Sequence, residues 1–276
     1  MSNSIFKITP ITGSLLDKAT GNSPNIVNGS FIRTNGKIGR YFDGTTDGLY
    51  YDAVNTDWVN DAWSLAFLFE NVSLTTTTYL FTHWDNTAAQ YGILIYINNS
   101  TNILSIYLQD DLGNFAQILS TNIVEKRQLQ SILISKPQGN TGNILIGIQG
   151  VTESVAYDFS NISGDIQPVV DFNIFPSYMV NKVTGFLYYT NLLNRSLSTK
   201  EIKKITKQLL KFKSPNPPIK FNFFDNKSGF FPPRRYNNGE VLALNPKSLQ
   251  DSEVVDLSGN QPALTNNGTL VKKDKV

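Results

Sequence analysis

Between about residues 30 and 190 the chain is a series of short apolar runs: SLAFLFENVSL, YGILIYI, NILSIYLQ, SILISK, NILIGIQG and TGFLYY. Each is rich in Ile, Leu, Tyr and Phe, the residues that suit a pleated, half-buried surface. The segments between them, NNST, DDLGN, KPQGNTGN and SNISGD, are clusters of Asn, Asp, Gly and Pro. Such clusters reverse the chain, because Gly accepts positive φ and short polar side chains bond the nearby backbone. Strands at this spacing, with no helical period between them, predict an all-β fold: an antiparallel sandwich or jelly roll rather than βαβ units.

Size and composition bound that fold. At 276 residues, 40% of them apolar and 17% charged, the chain has enough apolar material for a sizeable core. Its length fits one large sandwich with an appendage. There is no Cys and a single His, His83, so disulfides, thiol chemistry and a Cys/His zinc site are excluded. The start, MSNSIFKITPITGS, lacks the charged and apolar regions of a signal peptide, and no apolar run is long enough to span a bilayer. We therefore expect no membrane partner. A net charge of +2 is too small to point to nucleic acid.

One helix stands out, at about residues 199–212 in SLSTKEIKKITKQLLKFKSP. Ser198 and Glu201 have the spacing of a capping box. Ile202, Ile205, Leu209 and Phe212 recur on one face, while Lys200, Lys203, Lys204, Lys207 and Lys211 occupy the others. That Lys-rich surface is either a solvated face or a contact for an acidic partner. Pro215 ends the helix. A sandwich over residues 1–213 is then followed by a Pro- and Phe-rich linker over 214–240, with five Phe within eleven residues. Aromatics at that density pack against something. Residues 241–276 read as a strand-forming docking tail. Within it, DLSGNQPALTNNGT at 256–269 echoes DKATGNSPNIVNGS at 17–30. The tail's candidate partner contacts are Phe223, Phe224, Phe230, Phe231, Arg234, Arg235, Val255, Leu257 and Leu264. It either covers an edge of its own sandwich, adds to a neighbour by strand exchange, or opens a domain that another chain completes.

Three segments carry a family resemblance over roughly residues 17–206. NGKIGRYFDGTTDGLYYD, with Gly39, Phe42, Asp43, Gly44 and Asp47, resembles the early G-x-x-F-D-G-x-x-D segment of laminin-G-like, concanavalin A-like jelly rolls. WSLAFLFE resembles their next core strand. VTGFLYYTNLLNRSLSTKEIKKI resembles their closing strand, Asn-Arg turn and short helix. The chain departs from the family in having Phe186, Leu187, Tyr188 and Tyr189 where rim acids often follow the glycine. Asp43 and Asp47 fit turn architecture; the family's alternative use of such acids is calcium binding, for which no Asp/Glu-dense loop supplies six to eight oxygens. No metal and no cofactor are expected.

The concanavalin A-like class includes glucanases, and glycoside hydrolysis needs two carboxyls flanking the scissile bond. Glu70, Glu125, Glu153, Glu201, Glu240 and Glu253 form no such set on a strand, and neither a nucleophile elbow nor a phosphate-binding loop is present. We expect a protein that is not an enzyme. Two readings follow. In the first, the chain is a structural part that assembles with other subunits, itself included, resembling the fibre, decoration and tail components of bacteriophage virions. In the alternative it is a lectin-like module for surface glycans, at a cell surface or secreted. For the second, FTHWDNTAAQYG offers His83, Trp84, Asp85, Asn86, Gln90 and Tyr91 in an expected loop, with Trp58 as a further candidate. Trp84 is either a sugar platform or a plug at the sandwich edge. Trp63 opens a strand and belongs to the core.

Overall fold

Strand alternation builds the structure. In YGILIYI, Ile93, Ile95 and Ile97 are buried on one side, and in ILSIYLQ so are Leu104, Ile106 and Leu108. A strand with this period sets one face on a core and leaves the other for something else. The computed structural model describes residues 4–12, 14–25, 29–34, 37–44, 47–71, 77–86, 90–125, 127–168, 170–176 and 184–211, together with 253–254 and 264–265. In chain order the elements are β1 (Ser4–Ile8), a 3₁₀ turn (Pro10–Thr12), β2 (Ser30–Thr34), β3 (Lys37–Asp43), β4 (Leu49–Tyr51), β5 (Trp63–Asn71), β6 (Thr78–Asp85) and β7 (Tyr91–Ile97). They continue with β8 (Ile103–Gln109), β9 (Phe115–Ile123), β10 (Leu129–Lys136), β11 (Thr141–Ile148), β12 (Val151–Asp158), β13 (Phe172–Ile174), β14 (Thr184–Leu193) and α1 (Thr199–Leu210).

The strands form two antiparallel sheets. One runs β12-β11-β10-β5-β14-β3-β2, with β1 also pairing β14; the other runs β4-β13-β6-β7-β8-β9. They face each other as a jelly-roll sandwich around Phe67, Phe69, Phe81, Ile95, Ile106, Ile132 and Phe172, the fold class expected from the sequence. The first sheet is covered on both sides. Leu65, Phe67 and Phe69 of β5 enter the sandwich, whereas Ala66 and Leu68 join a second cluster beneath α1 with Leu133, Tyr188, Ile202 and Leu209. Burial on both faces is why WSLAFLFE reads as a continuous apolar run.

The helix is held at both its start and its face. Ser198 and Glu201 close a capping box, and Arg195 pairs with Glu201 at 2.9 Å. Hydrogen bonds from the Ser198 backbone, Arg195 and the Ser198 hydroxyl hold the Glu201 carboxyl down to about 2. Ile202 seats on Gly147 of β11, where a Cβ would stand 2.4 Å from the Ile202 Cγ2. The last helical residue is Leu210, and Phe212 lies outside the described residues.

Trp58 requires a correction. It is fully buried between Trp63 and Phe81, each 5.5 Å away edge-to-face, and its Nε1 donates to the His83 Nδ1 at 3.1 Å. A ligand cannot reach a side chain with no exposed surface. Trp63 is core as expected. Asp47 accepts the Asp43 backbone N–H at 2.8 Å, the turn role anticipated for this pair. Past Lys211 the described residues form β15 (Glu253–Val254) and β16 (Leu264–Thr265), an antiparallel pair in which Val254 opposes Leu264. The linker at 214–240 and the predicted contacts Phe223, Phe224, Phe230, Phe231, Arg234, Arg235, Val255 and Leu257 lie outside the described residues, as does the Leu264 side chain.

Candidate functional site

If Ile93, Ile95, Leu104, Ile106, Leu108 and Ile118 face inward, the alternate residues of the six-stranded sheet face out. The pairing registers arrange these outward residues in rows. One row is Tyr79, Tyr96, Ser105 and Leu119; the next is Thr82, Leu94, Tyr107 and Gln117; the third is Trp84, Gly92, Gln109 and Phe115. Through β13 and β4 the middle row continues to Asn173 and Tyr50. The outer face of this sheet is therefore aromatic and amide-bearing rather than charged.

Side-chain contacts join the rows. The Trp84 and Tyr107 ring centres are 5.9 Å apart, and Tyr107 stacks on Phe115 at 5.8 Å and 20°. Trp84 and Tyr107 lie two strands apart. Their rings meet because Gly92, between them on β7, puts no side chain in the way. Gly92 has φ +127° and a Cβ there would stand 2.1 Å from the His83 carbonyl, so the gap is built in. Tyr79 and Tyr96 form a second ring pair at 5.4 Å.

Amides stitch the aromatics together. The Tyr107 hydroxyl donates to Gln109 Oε1 at 2.7 Å, and Gln117 Nε2 donates to the Tyr96 hydroxyl at 2.8 Å and the Ser105 Oγ at 2.9 Å. Burial, with the neighbouring Tyr96, pushes the Tyr107 phenol above its ordinary range, so it remains a protonated donor. These bonds engage Gln109 Oε1 and Gln117 Nε2, which leaves Gln109 Nε2 as a donor and Gln117 Oε1 as an acceptor for other partners. Exposure rises along the ladder: Trp84 is 8% exposed and Phe115 58%.

At the β9 edge the face runs into a groove of about 280 Å³ lined by Phe115, Gln117, Tyr157, Asp158, Ser160 and Asn161. Asn161 Nδ2 donates to the Phe115 carbonyl at 2.8 Å, which fixes the groove wall to the strand. Farther along the same edge the Glu153 Oε2 accepts the backbone N–H groups of Thr121 and Asn122 at 3.0 and 3.1 Å, tying β12 to β9. Asp110 organises the turn beyond β8. Burial opposes its charge, but hydrogen bonds from Asn114, Gly164 and Ser163 outweigh that and keep it below the ordinary carboxylate range. Its carboxylate is thus occupied in holding loops. Among the described residues no group of three or more His, Asp and Glu is placed to hold a metal ion.

Of the seven candidate ligand residues named from the sequence, Trp84, Asp85 and Tyr91 lie on or beside this face, placed differently than expected, whereas His83 and Trp58 are buried in the core. FTHWD is not a loop but the end of strand β6, with His83 facing the core and Trp84 facing out. Trp84 backs the ladder; the accessible platform is Tyr107 and Phe115. Asp85 and Tyr91 are cross-strand partners where β6 and β7 begin to separate. Burial, followed by the carboxylates of Asp85, Asp165 and Asp111, raises the Tyr91 phenol. Sequence reasoning missed Tyr107, Gln109, Phe115 and Gln117. Their signal was the polar and aromatic half of the alternation in NILSIYLQ and FAQILSTNI.

The sequence matches no protein-family model and no curated protein. Solved structures do match the fold. The binding domain of botulinum neurotoxin serotype D superposes with a TM-score of 0.58 at 12% identity, over 75% of this chain and 52% of that one. The same neurotoxin's ligand-binding domain in complex with N-acetylneuraminic acid gives 0.58 at 11%, over 75% and 51%. Domain 4 of AbnA, an extracellular arabinanase from Geobacillus stearothermophilus, in complex with arabinotriose, gives 0.55 at 12%, over 74% of this chain and 98% of that domain. This chain spans about half the length of the neurotoxin domains and nearly all of the arabinanase domain. At such identities the likeness is one of fold, and the fold is the jelly-roll β-sandwich that the strand registers describe.

Proposed function

We propose that this chain is a non-catalytic carbohydrate-binding module that takes its ligand on the outer face of the six-stranded sheet. The observation that carries this reading is the Trp84–Tyr107–Phe115 ladder flanked by Gln109 and Gln117. A sugar ring offers an apolar C–H face and a periphery of hydroxyls, each both donor and acceptor. Exposed rings receive the first and amides the second, the combination of apolar wall and few fixed polar groups that ligand sites use. Two structural neighbours solved with sugars support the reading. The arabinotriose-bound domain carries more weight, because nearly its whole length is matched. The reading of the chain as a virion subunit rests instead on residues 214–276, of which only β15 and β16 are described.

The test is retention on a glycan array, followed by calorimetric titration of the best glycan. Phe115→Ala is expected to weaken binding about tenfold, the effect of losing one anchor contact. Because Phe115 is 58% exposed, its melting temperature stays near that of the parent. Trp84→Ala is expected to lose both binding and stability, since the indole is nearly buried. A Phe115→Ala protein that retains glycans unchanged would remove the site from this face.

A further inference from the structure

We infer that the ligand of this face is an uncharged oligosaccharide longer than one sugar ring, laid across the strands from Tyr107 over Phe115 into the groove beside Asp158. The inference rests on the carbohydrate reading and narrows it to a substrate class.

The first observation is charge. Strands β4, β6, β7, β8, β9 and β13, all six of this sheet, contain no Lys and no Arg. Tyr aside, their ionisable side chains are His83, which points into the core, and Asp85 at the rim. Among the described residues, the end of the face around Tyr91 and Phe115 is bordered by acids. Asp85, Asp111 and Asp165 lie close enough to Tyr91 to raise its phenol, and Asp158 lines the groove. One cation lies against the groove wall, Lys136, whose Nζ is 5.4 Å from the Tyr157 ring centre, but it is fully buried and donates to the carbonyls of Asp61, Pro137 and Gly139. The lysines Lys200, Lys203, Lys204, Lys207 and Lys211 are on α1, which packs against the outside of the other sheet. Packed sheets are separated by roughly 10 Å, and at physiological ionic strength the Debye length is about 8 Å. The helix therefore contributes little attraction here. A carboxylated or sulfated sugar would shed its hydration for a face whose strands offer no cation, and would bring its charge toward carboxylates. That juxtaposition is unfavourable.

The second observation is extent. The ring-to-ring steps are 5.9 and 5.8 Å, and Phe115 belongs both to the ladder and to the groove wall. The platform continues over the β9 edge without a break. Gln117 lines the groove as well, and with its Nε2 engaged by Tyr96 and Ser105 its Oε1 is the atom left to accept a sugar hydroxyl. A single ring would use only part of this track.

The test is a glycan array bearing neutral and carboxylated or sulfated glycans, probed with the full chain and with its Phe115→Ala variant at physiological ionic strength. The best neutral glycan is then titrated as its mono-, di- and trisaccharide. We expect Phe115-dependent retention of neutral glycans only, and affinity rising about tenfold or more from the mono- to the trisaccharide. Phe115-dependent retention of acidic glycans equal to or above that of neutral ones would overturn the charge inference while leaving the carbohydrate reading intact. A monosaccharide binding as tightly as its trisaccharide would overturn the extended track in the same way. Retention that does not depend on Phe115, or none at all, would overturn both.

Discussion

His83 stands on β6 beside Trp84 in the chain but on the opposite side of the sheet. Its Nδ1 accepts from the Trp58 indole, so its proton resides on Nε2, which donates to the Val170 carbonyl at 3.2 Å. Burial holds its pKa down to about 4 from an ordinary 6.5, against the opposing pull of the Val170 and Pro168 carbonyls. The sign follows from linkage. Above about pH 6.5 the ring is neutral whether the chain is folded or not, and the contribution is full. As pH falls toward 4 the unfolded chain binds a proton that the folded chain refuses, so stability drops, by at most roughly 3 kcal/mol. Denaturant titrations from pH 7 to 4 should show this decline, and His83→Gln, though less stable at pH 7, should show a flatter one. None of this is local in the sequence. NTDWVND does not tell a plug from a platform; the partner that decides lies 25 residues away.

At the scale of elements, legibility followed how local the signal was. The α1 cap and period sit within one stretch, and the helix appears where they predict it. Strand β9, FAQILSTNI, was not anticipated because its inward set is sparse and its outward set mixes Phe, Gln, Leu and Thr, which has no apolar run to notice. Yet that mixture is what makes β9 the accessible edge of the candidate face: Leu119 and Phe115 are 48% and 58% exposed. The seat of α1 was invisible for another reason. Gly147 sits in an apolar run, and only the packed helix shows that its missing Cβ is used. Gly147→Ala should cost about 1–3 kcal/mol by overpacking. Ile202→Ala should cost about 2–5 kcal/mol through the cavity it leaves. Because the added methyl would occupy space vacated by Ile202, the double variant should be destabilised by less than the two together, a coupling that chemical denaturation measures directly.

For the whole molecule, the two outer faces of the sandwich differ in kind. Among the described residues, one is covered by a Lys-bearing helix, while the other carries no helix and leaves Phe115, Gln117 and Leu119 of β9 exposed, although Thr82, Ser105 and Asn173 in its rows are buried. Among the described residues, every member of the two apolar clusters falls between Ile5 and Leu210. The same interval holds Asp17 of the first DKATGNSPNIVNGS copy, whose carboxylate accepts the Lys7 and Ala19 backbone N–H groups at 2.7 and 2.9 Å and so fixes the chain beside β1. Because the described core and caps close by Lys211, we propose that the sandwich stands without the residues after it. We therefore expect a chain ending at Lys211 to melt within a few degrees of the full chain and to keep its glycan retention, as read by circular dichroism and the same array. If residues 241–276 are the docking element their strand pattern suggests, mass photometry should find higher oligomers only in the full chain. A truncated chain that melts far lower would instead mean that the tail completes the edge of its own sandwich, where the unpaired backbone of an outer strand needs a cover.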